Sequence, residues 1–254
     1  MILTPIEPHA LEAMLDRFAD HLPLAARTVF RRIADPCQAE RAGADAAKAH
    51  QEIAIALAQF FGMAILPGSP LLDFGWSGRA LRRETEAYVL LHEIAHFQLA
   101  PPERRNAIDF GLGAGPETGN REAADAAQLL FGMARETEEA RASLLGILWE
   151  VELGQPALAS FLDQNWLEGA ERPEAAAHFA AILADLQELG LVDQDGRPQR
   201  RLRTSTERDV RWRSFETESQ VSACSGLANA RCEDSGNSTE TILTSALNCP
   251  SRTR

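Results

Sequence analysis

His92 and His96 stand four residues apart in the stretch "YVLLHEIAHFQLA", with Glu93 directly after the first of them. On a helix that spacing places both imidazoles one turn apart on a single face. From there both can reach one divalent metal ion about 2 Å away. Glu93 projects beside them and can act as a base toward a water held there, or support the ligands from behind. A chain of this composition contains His-Glu-x-x-His by chance on the order of one time in a hundred, so the match is specific enough to build on. The neighbours Val89, Leu90, Leu91, Ile94 and Ala95 predict that the helix is buried. His9, His21, His50 and His178 stand alone in Ala-rich or N-terminal segments and are predicted as surface or cap residues.

Two imidazoles rarely hold a functional metal by themselves, so a third protein ligand is needed. The third histidine of the extended metalloprotease pattern is missing, because Leu99 and Pro102 stand where its glycine and histidine would be. A downstream carboxylate is expected instead, and Asp109, Glu122, Asp125, Glu136, Glu138 and Glu139 all qualify by type. Two histidines and one carboxylate suit a hydrolytic zinc or an oxygen-activating ferrous iron. Spacing does not separate those chemistries.

The elements that must position these groups are mostly helical. Leu11, Leu15, Phe18 and Leu22 recur at helical spacing up to Pro23, which ends or kinks that helix. An Ala-rich helix is expected over about 45–61, and a helical pattern runs over 81–99 until Pro101-Pro102 stops it. Between them "GMAILPGSPLLDFGWSG" reads as a short strand, a Pro-Gly turn and an extended piece. "NAIDFGLGAGPETGN" is expected to be extended and then loop, with helices after it at about 121–133, 136–153, 156–161 and 173–189. The fold class is thus α+β: a mainly helical domain over 1–203, with a small sheet beside the metal-binding helix. Residues 204–254 are rich in Ser, Thr and Asn, lack apolar periodicity, and are expected to form a disordered tail.

Composition excludes several function classes. The 254 residues carry 25 Lys and Arg against 37 Asp and Glu, a net charge of −12. Phosphate neutralisation needs concentrated basic residues, so no nucleic-acid partner is expected; an anionic membrane surface is disfavoured on the same ground. No apolar run reaches about 18 residues, and the N-terminus lacks the pattern of a secretory signal. The expected location is cytoplasmic. Cys37, Cys224, Cys232 and Cys249 show no CxxC pair and read as ordinary thiols. Asn237-Ser238-Thr239 matches a glycosylation acceptor that a cytoplasmic chain would not use.

Beyond the metal helix, several short motifs in order resemble the elongation factor P hydroxylase family. "HEIAHF" looks like that family's His-Glu-[Ile/Val]-[Ala/Ser]-His-aromatic helix, and Arg104-Arg105 and Asp109-Phe110-Gly111 stand at the family's distances from His92. "PETGNR" is similar to its Pro-Asp-Gly-Arg turn after a small insertion, "EEARASLLGI" to a later helix, and "FLDQNWLEG" to its closing Asp-Asn-Leu-Glu-Gly segment. The resemblance covers about 80–169. It implies a non-haem metal hydroxylase on a compact α+β fold, acting on the modified lysine of the translation factor elongation factor P. By the same carry-over His92, His96 and Glu136 hold the metal, most readily Fe(II), and Glu93 lies beside it. Arg104, Arg105 and Asp109 are assigned to substrate binding, the two arginines holding a loop or meeting an acidic partner. The chain departs from the family where "LGAG" replaces an aromatic-rich stretch, where Glu138-Glu139 replaces Pro-Gln, and where Ala100-Pro101-Pro102 replaces a glycine-containing helix exit.

Two other readings remain open. "REAADAAQLLFG" resembles the downstream glutamate helix of intracellular zinc metallopeptidases; Glu93 would then be the general base and Glu122 the third ligand of Zn(II). A non-enzymatic interaction module would use the same residues to close the coordination sphere around a structural metal.

Overall fold

Proline and glycine set the boundaries of the first elements. In the computed structural model, which describes residues 8–68, 75–116 and 118–204, α1 spans Pro8–His21 and α2 Leu24–Ile33. Pro23 ends the first helix and caps the second, since its locked φ suits a helix start and not a helix interior. Leu15, Phe18 and Leu22 are buried, as their spacing predicts. A 3-10 turn at Pro36–Gln38 follows, capped by the Asp35 carboxylate, which accepts from the Cys37 amide at 3.0 Å. Then comes α3, Ala44–Phe60.

Two three-residue strands come next, β1 (Ala64–Leu66) and β2 (Ala80–Arg82). They pair in parallel, with Ala64 opposite Ala80, Ile65 opposite Leu81 and Leu66 opposite Arg82. The helical pattern expected from residue 81 therefore begins later, and α4 runs Ala87–Leu99. Leu81 is buried, but its backbone is drawn into the ladder, and the Arg83 amide extends the pairing by donating to the Leu66 carbonyl at 2.7 Å. Three residues carry no period that separates strand from helix.

Ala100 takes extended dihedrals before Pro101-Pro102 and ends α4. The segment 108–111, expected to be extended, forms a 3-10 turn, and Leu112 onward is loop. The remaining helices are α5 (Arg121–Ala126), α6 (Gly132–Glu152), α7 (Ala157–Asp163) and α8 (Pro173–Glu188). α5 is shorter than its Ala-rich sequence suggests and α6 starts earlier, with Gly132 (φ 52) at the junction. The protein is thus mainly helical with a small two-stranded sheet.

α4 lies between α3 and α6. Leu90, Leu91, Ile94 and Ala95 are fully buried on several sides of it, so it is a central helix rather than an amphipathic surface one. A second part of the same core is aromatic. Phe18, Phe30, Phe161 and Phe179, from α1, α2, α7 and α8, meet with ring centroids 4.8–6.1 Å apart. Gln98 ties the end of the described chain to this core. Its amide donates to the carbonyls of Gln199 and Arg201, both at 2.8 Å, and its side-chain oxygen accepts from Trp149 at 2.7 Å. Among the described residues no helix is long and apolar enough to cross a membrane, and Cys37 is an exposed free thiol. The other three cysteines, Asn237 and the expected tail from residue 205 onward lie outside the described residues.

Candidate metal centre

The site begins with how closely α4 and α6 approach. A Cβ on Gly146 would lie 3.3 Å from both the Cα and the amide nitrogen of His92, so the two backbones touch where α6 has no side chain. Glu139 lies two turns before Gly146 on the same face of α6, with Ala142 and Ser143 between them. That face looks onto the His92–His96 face of α4.

The contact brings three ligand atoms together. His92 Nε2 and His96 Nε2 are 3.0 Å apart, and Glu139 Oε2 lies 3.7 Å from the first and 3.3 Å from the second. All three fall within 4.8 Å of one another. The point equidistant from them is about 2 Å from each, the bond length of first-row divalent cations to imidazole nitrogen and carboxylate oxygen. Two imidazole nitrogens and a carboxylate oxygen converging on one point need ring protons or a cation between them. The donor set and its spacing fit a divalent metal.

The electrostatics follow from the same contacts. Burial would raise the Glu139 carboxyl, but hydrogen bonds to His92 and His96 hold it far below the usual carboxylate range. Burial depresses His92 below its ordinary value. At His96 the depressing effect of burial is outweighed by the hydrogen bond and charge of Glu139 and by the charges of Glu93 and Glu138, so its pKa is raised. Near neutral pH the cluster therefore presents a carboxylate to two rings.

Glu93 is buried beside the ligands, and Gly75 makes room for it: a Cβ there would stand 2.7 Å from Glu93 Oε1 and 3.4 Å from Asp109 Oδ1. Asp109 Oδ1 accepts from the Trp76 amide at 3.0 Å, and Oδ2 accepts from the Thr118 hydroxyl at 2.6 Å. Burial pushes the Asp109 carboxyl up, against those bonds and one from the Gly75 amide. Asp109, Phe110 and Gly111 have φ of 42°, 53° and 73°, three successive left-handed residues, two of them not glycine. Such backbone persists only where the surroundings over-determine it.

These groups open into a cleft of about 1140 Å³. Its floor carries His92, Glu93, His96, Asp109 and Glu139; Trp166 and His178 form part of another wall, stacked with centroids 5.6 Å apart. Trp166 donates to the Ser143 hydroxyl at 2.7 Å, which ties that wall to α6. A smaller cavity of about 630 Å³, lined in part by Arg121, Arg135 and Glu136, reaches Glu139 from another direction.

Each residue proposed from the sequence can now be located. His92, His96, Glu93 and Asp109 line the cleft together. Glu136 does not join the cluster; it is exposed on α6 and lines the smaller cavity, and Glu139, three residues on, closes the triangle. Glu122 is exposed on α5, Asp125 accepts from the Ala114 amide, and Glu138 points to Arg104. Arg104 and Arg105 do not line the cleft. Arg104 is buried behind it, donating to the Phe110 carbonyl at 2.8 Å and pairing with Glu138. Arg105 donates to the carbonyls of Phe97 and Arg203 and so fastens the chain end to α4. Hydrogen bonds from both arginines go to backbone carbonyls and, for Arg104, a buried carboxylate, the arrangement of braces. The sequence feature that could have singled out Glu139 is Gly146, one of the small residues repeating along the same face of α6. Ser143 and Trp166 stand inside segments that carry the resemblance without being singled out by it, and Gly75 carried no local signal. Protein-family models, curated proteins and solved structures were all compared with the chain, and none of them matches it.

Proposed function

We propose that the chain is a metal-dependent hydroxylase of the elongation factor P hydroxylase type, a cytoplasmic enzyme that hydroxylates a modified lysine on a translation factor. The observation that carries this reading is the His92–His96–Glu139 triangle opening into a cleft large enough for a long side chain. Two imidazoles and one carboxylate leave positions free on a metal that prefers six, the pattern of non-haem Fe(II) oxygenases. When bound, Fe(II) supplies the activation of dioxygen. Inserting one oxygen atom into a C–H bond also consumes two electrons from a reductant, and the other oxygen leaves as water.

The residues of this chain do the rest. His92, His96 and Glu139 hold the ion. Glu93, buried beside the ligands, is placed to hold or release a proton at its carboxylate. Asp109, whose carboxyl burial pushes up, lines the same cleft beside it. Tyr88 and Trp166 line the cleft, where they orient an aliphatic side chain and exclude water. Leu129, Phe131 and Met133, each more than half exposed around the junction of α5 and α6, offer apolar surface of the kind a protein partner covers. Because the coordination triangle faces a cleft, a closed structural site is the weaker reading.

The zinc peptidase reading shares Glu93 and the two histidines. An extended peptide is commonly held by pairing with a sheet edge, and neither β1 nor β2 contributes a residue to this cleft. That favours the hydroxylase. Protein purified without chelator should contain iron. Anaerobic Fe(II) loading, a reductant and then oxygen should add the mass of one oxygen atom to a lysine-modified elongation factor P. Stoichiometric zinc with cleavage of a peptide, and no oxidation in the iron-loaded form, would overturn the proposal.

A further inference from the structure

We propose that Arg104 is a positioning residue for the metal centre, orienting both His96 and Glu139 from behind; the inference rests on the metal-centre reading above. A metal-ligating imidazole is normally oriented by a hydrogen bond from its other ring nitrogen to a carboxylate, carbonyl or water. Among the described residues no protein group gives His96 that support: its Nδ1 is buried without a protein hydrogen-bond partner. What backs the ring is Phe110, stacked on it at 5.6 Å between centroids and 24° between planes, with Trp76 stacked on Phe110 in turn at 5.7 Å and 2°.

Phe110 has a left-handed backbone conformation, φ 53°, which a phenylalanine does not keep unaided. The Phe110 amide donates to the Ala107 carbonyl at 3.2 Å, and the side chain that holds its carbonyl is Arg104, whose Nη1 donates to it at 2.8 Å. The other end of the same guanidinium pairs with Glu138 Oε2. Glu138 is 4% exposed and immediately precedes Glu139 on α6. One planar fork thus sets two things: the ring that backs His96, and the residue whose position sets which way Glu139 faces. A guanidinium can do this because its donors diverge in a fixed plane; an ammonium is a single point charge. Arg104 has no contact with the cleft, so its effect is transmitted through Phe110 and Glu138.

The test measures Co(II) binding by the intensity and position of the visible absorption bands and by chelator competition. Truncating Arg104 alone would strand Glu138 buried without a partner, so the informative variant is Arg104→Met combined with Glu138→Leu, which replaces the buried pair by apolar groups of similar volume. The expected result is a folded protein by circular dichroism that binds Co(II) about 10- to 100-fold more weakly, with a changed visible spectrum. Wild-type protein binding Co(II), with the double variant matching its affinity within about threefold and its spectrum, would overturn the role of Arg104 and leave the metal centre standing. A wild type that binds no Co(II) overturns both. Arg104→Lys decides the matter if the double variant does not fold: it keeps the charge opposite Glu138 but cannot reach Phe110 as well. Binding about tenfold weaker than wild type then supports the role, and unchanged binding overturns it.

Discussion

At residue scale, Glu136, Glu138 and Glu139 occupy three directions on one helix. Successive residues are rotated by about 100°, so one carboxylate meets the histidines, one meets Arg104 and one meets solvent. All three fitted the chemical requirement for a third ligand, and type could not rank them. The assignment can be checked directly. Glu139→Gln should weaken metal binding by at least about 100-fold, since it removes the only anionic ligand of the triangle, whereas Glu136→Gln should leave affinity unchanged. Isothermal titration of both variants with Co(II) distinguishes them, and equal losses would place the carboxylate elsewhere.

At the scale of elements, the site exists because two helices meet without side chains between them. Gly146 lies inside the unbroken α6, a position where alanine would ordinarily favour the helix by about 1 kcal/mol. Here an added methyl would press on the His92 backbone at 3.3 Å, and backbone yields less readily than a flexible side chain. Overpacking of this kind costs about 1–3 kcal/mol, so the steric effect should win. Gly146→Ala is expected to destabilise the protein by about 1 kcal/mol net and to weaken metal binding by prising His92 away from Glu139. Thermal denaturation with and without metal would show it; a variant more stable than wild type with unchanged affinity would contradict the close approach. The strands carry a different lesson. β2 lies inside a segment with a helical pattern, and what makes it a strand is its parallel partner β1. Residues 80–82 alone could not indicate a pairing sixteen positions away.

At the scale of the whole molecule, one buried acid links stability to pH. Glu150 on α6 is 1% exposed, and burial pushes its carboxyl up from 4.5 to about 7, although the Ser160 hydroxyl and the Arg41 guanidinium 3.6 Å away pull the other way. The unfolded chain releases this proton near its ordinary pKa while the folded chain keeps it. The contribution is therefore fully present below about pH 4.5, is lost as pH rises to about 7, and stays lost above. The span is worth at most about 3 kcal/mol. Glu150→Gln should remove that slope, raising the melting temperature at pH 8 relative to wild type with little difference at pH 5. A difference between the two proteins that does not vary with pH would refute the linkage.

The sequence alone determined the metal helix, because a four-residue spacing becomes a shared face on any α-helix, and it determined that the helix is buried, because apolar residues surround the pair. It also determined most of the other helices, whose periodic patterns extend over several turns. Tertiary structure alone decided which glutamate completes the triangle and that Arg104 and Arg105 turn to backbone carbonyls and Glu138 instead of lining the cleft. It also decided that Asp109 and Phe110 twist into a left-handed turn beneath His96. Each of these depends on how α4, α6 and the loop after α4 pack together. Local spacing sets the direction of a side chain relative to its own helix; what that side chain meets is set by the neighbour the packed core brings against it.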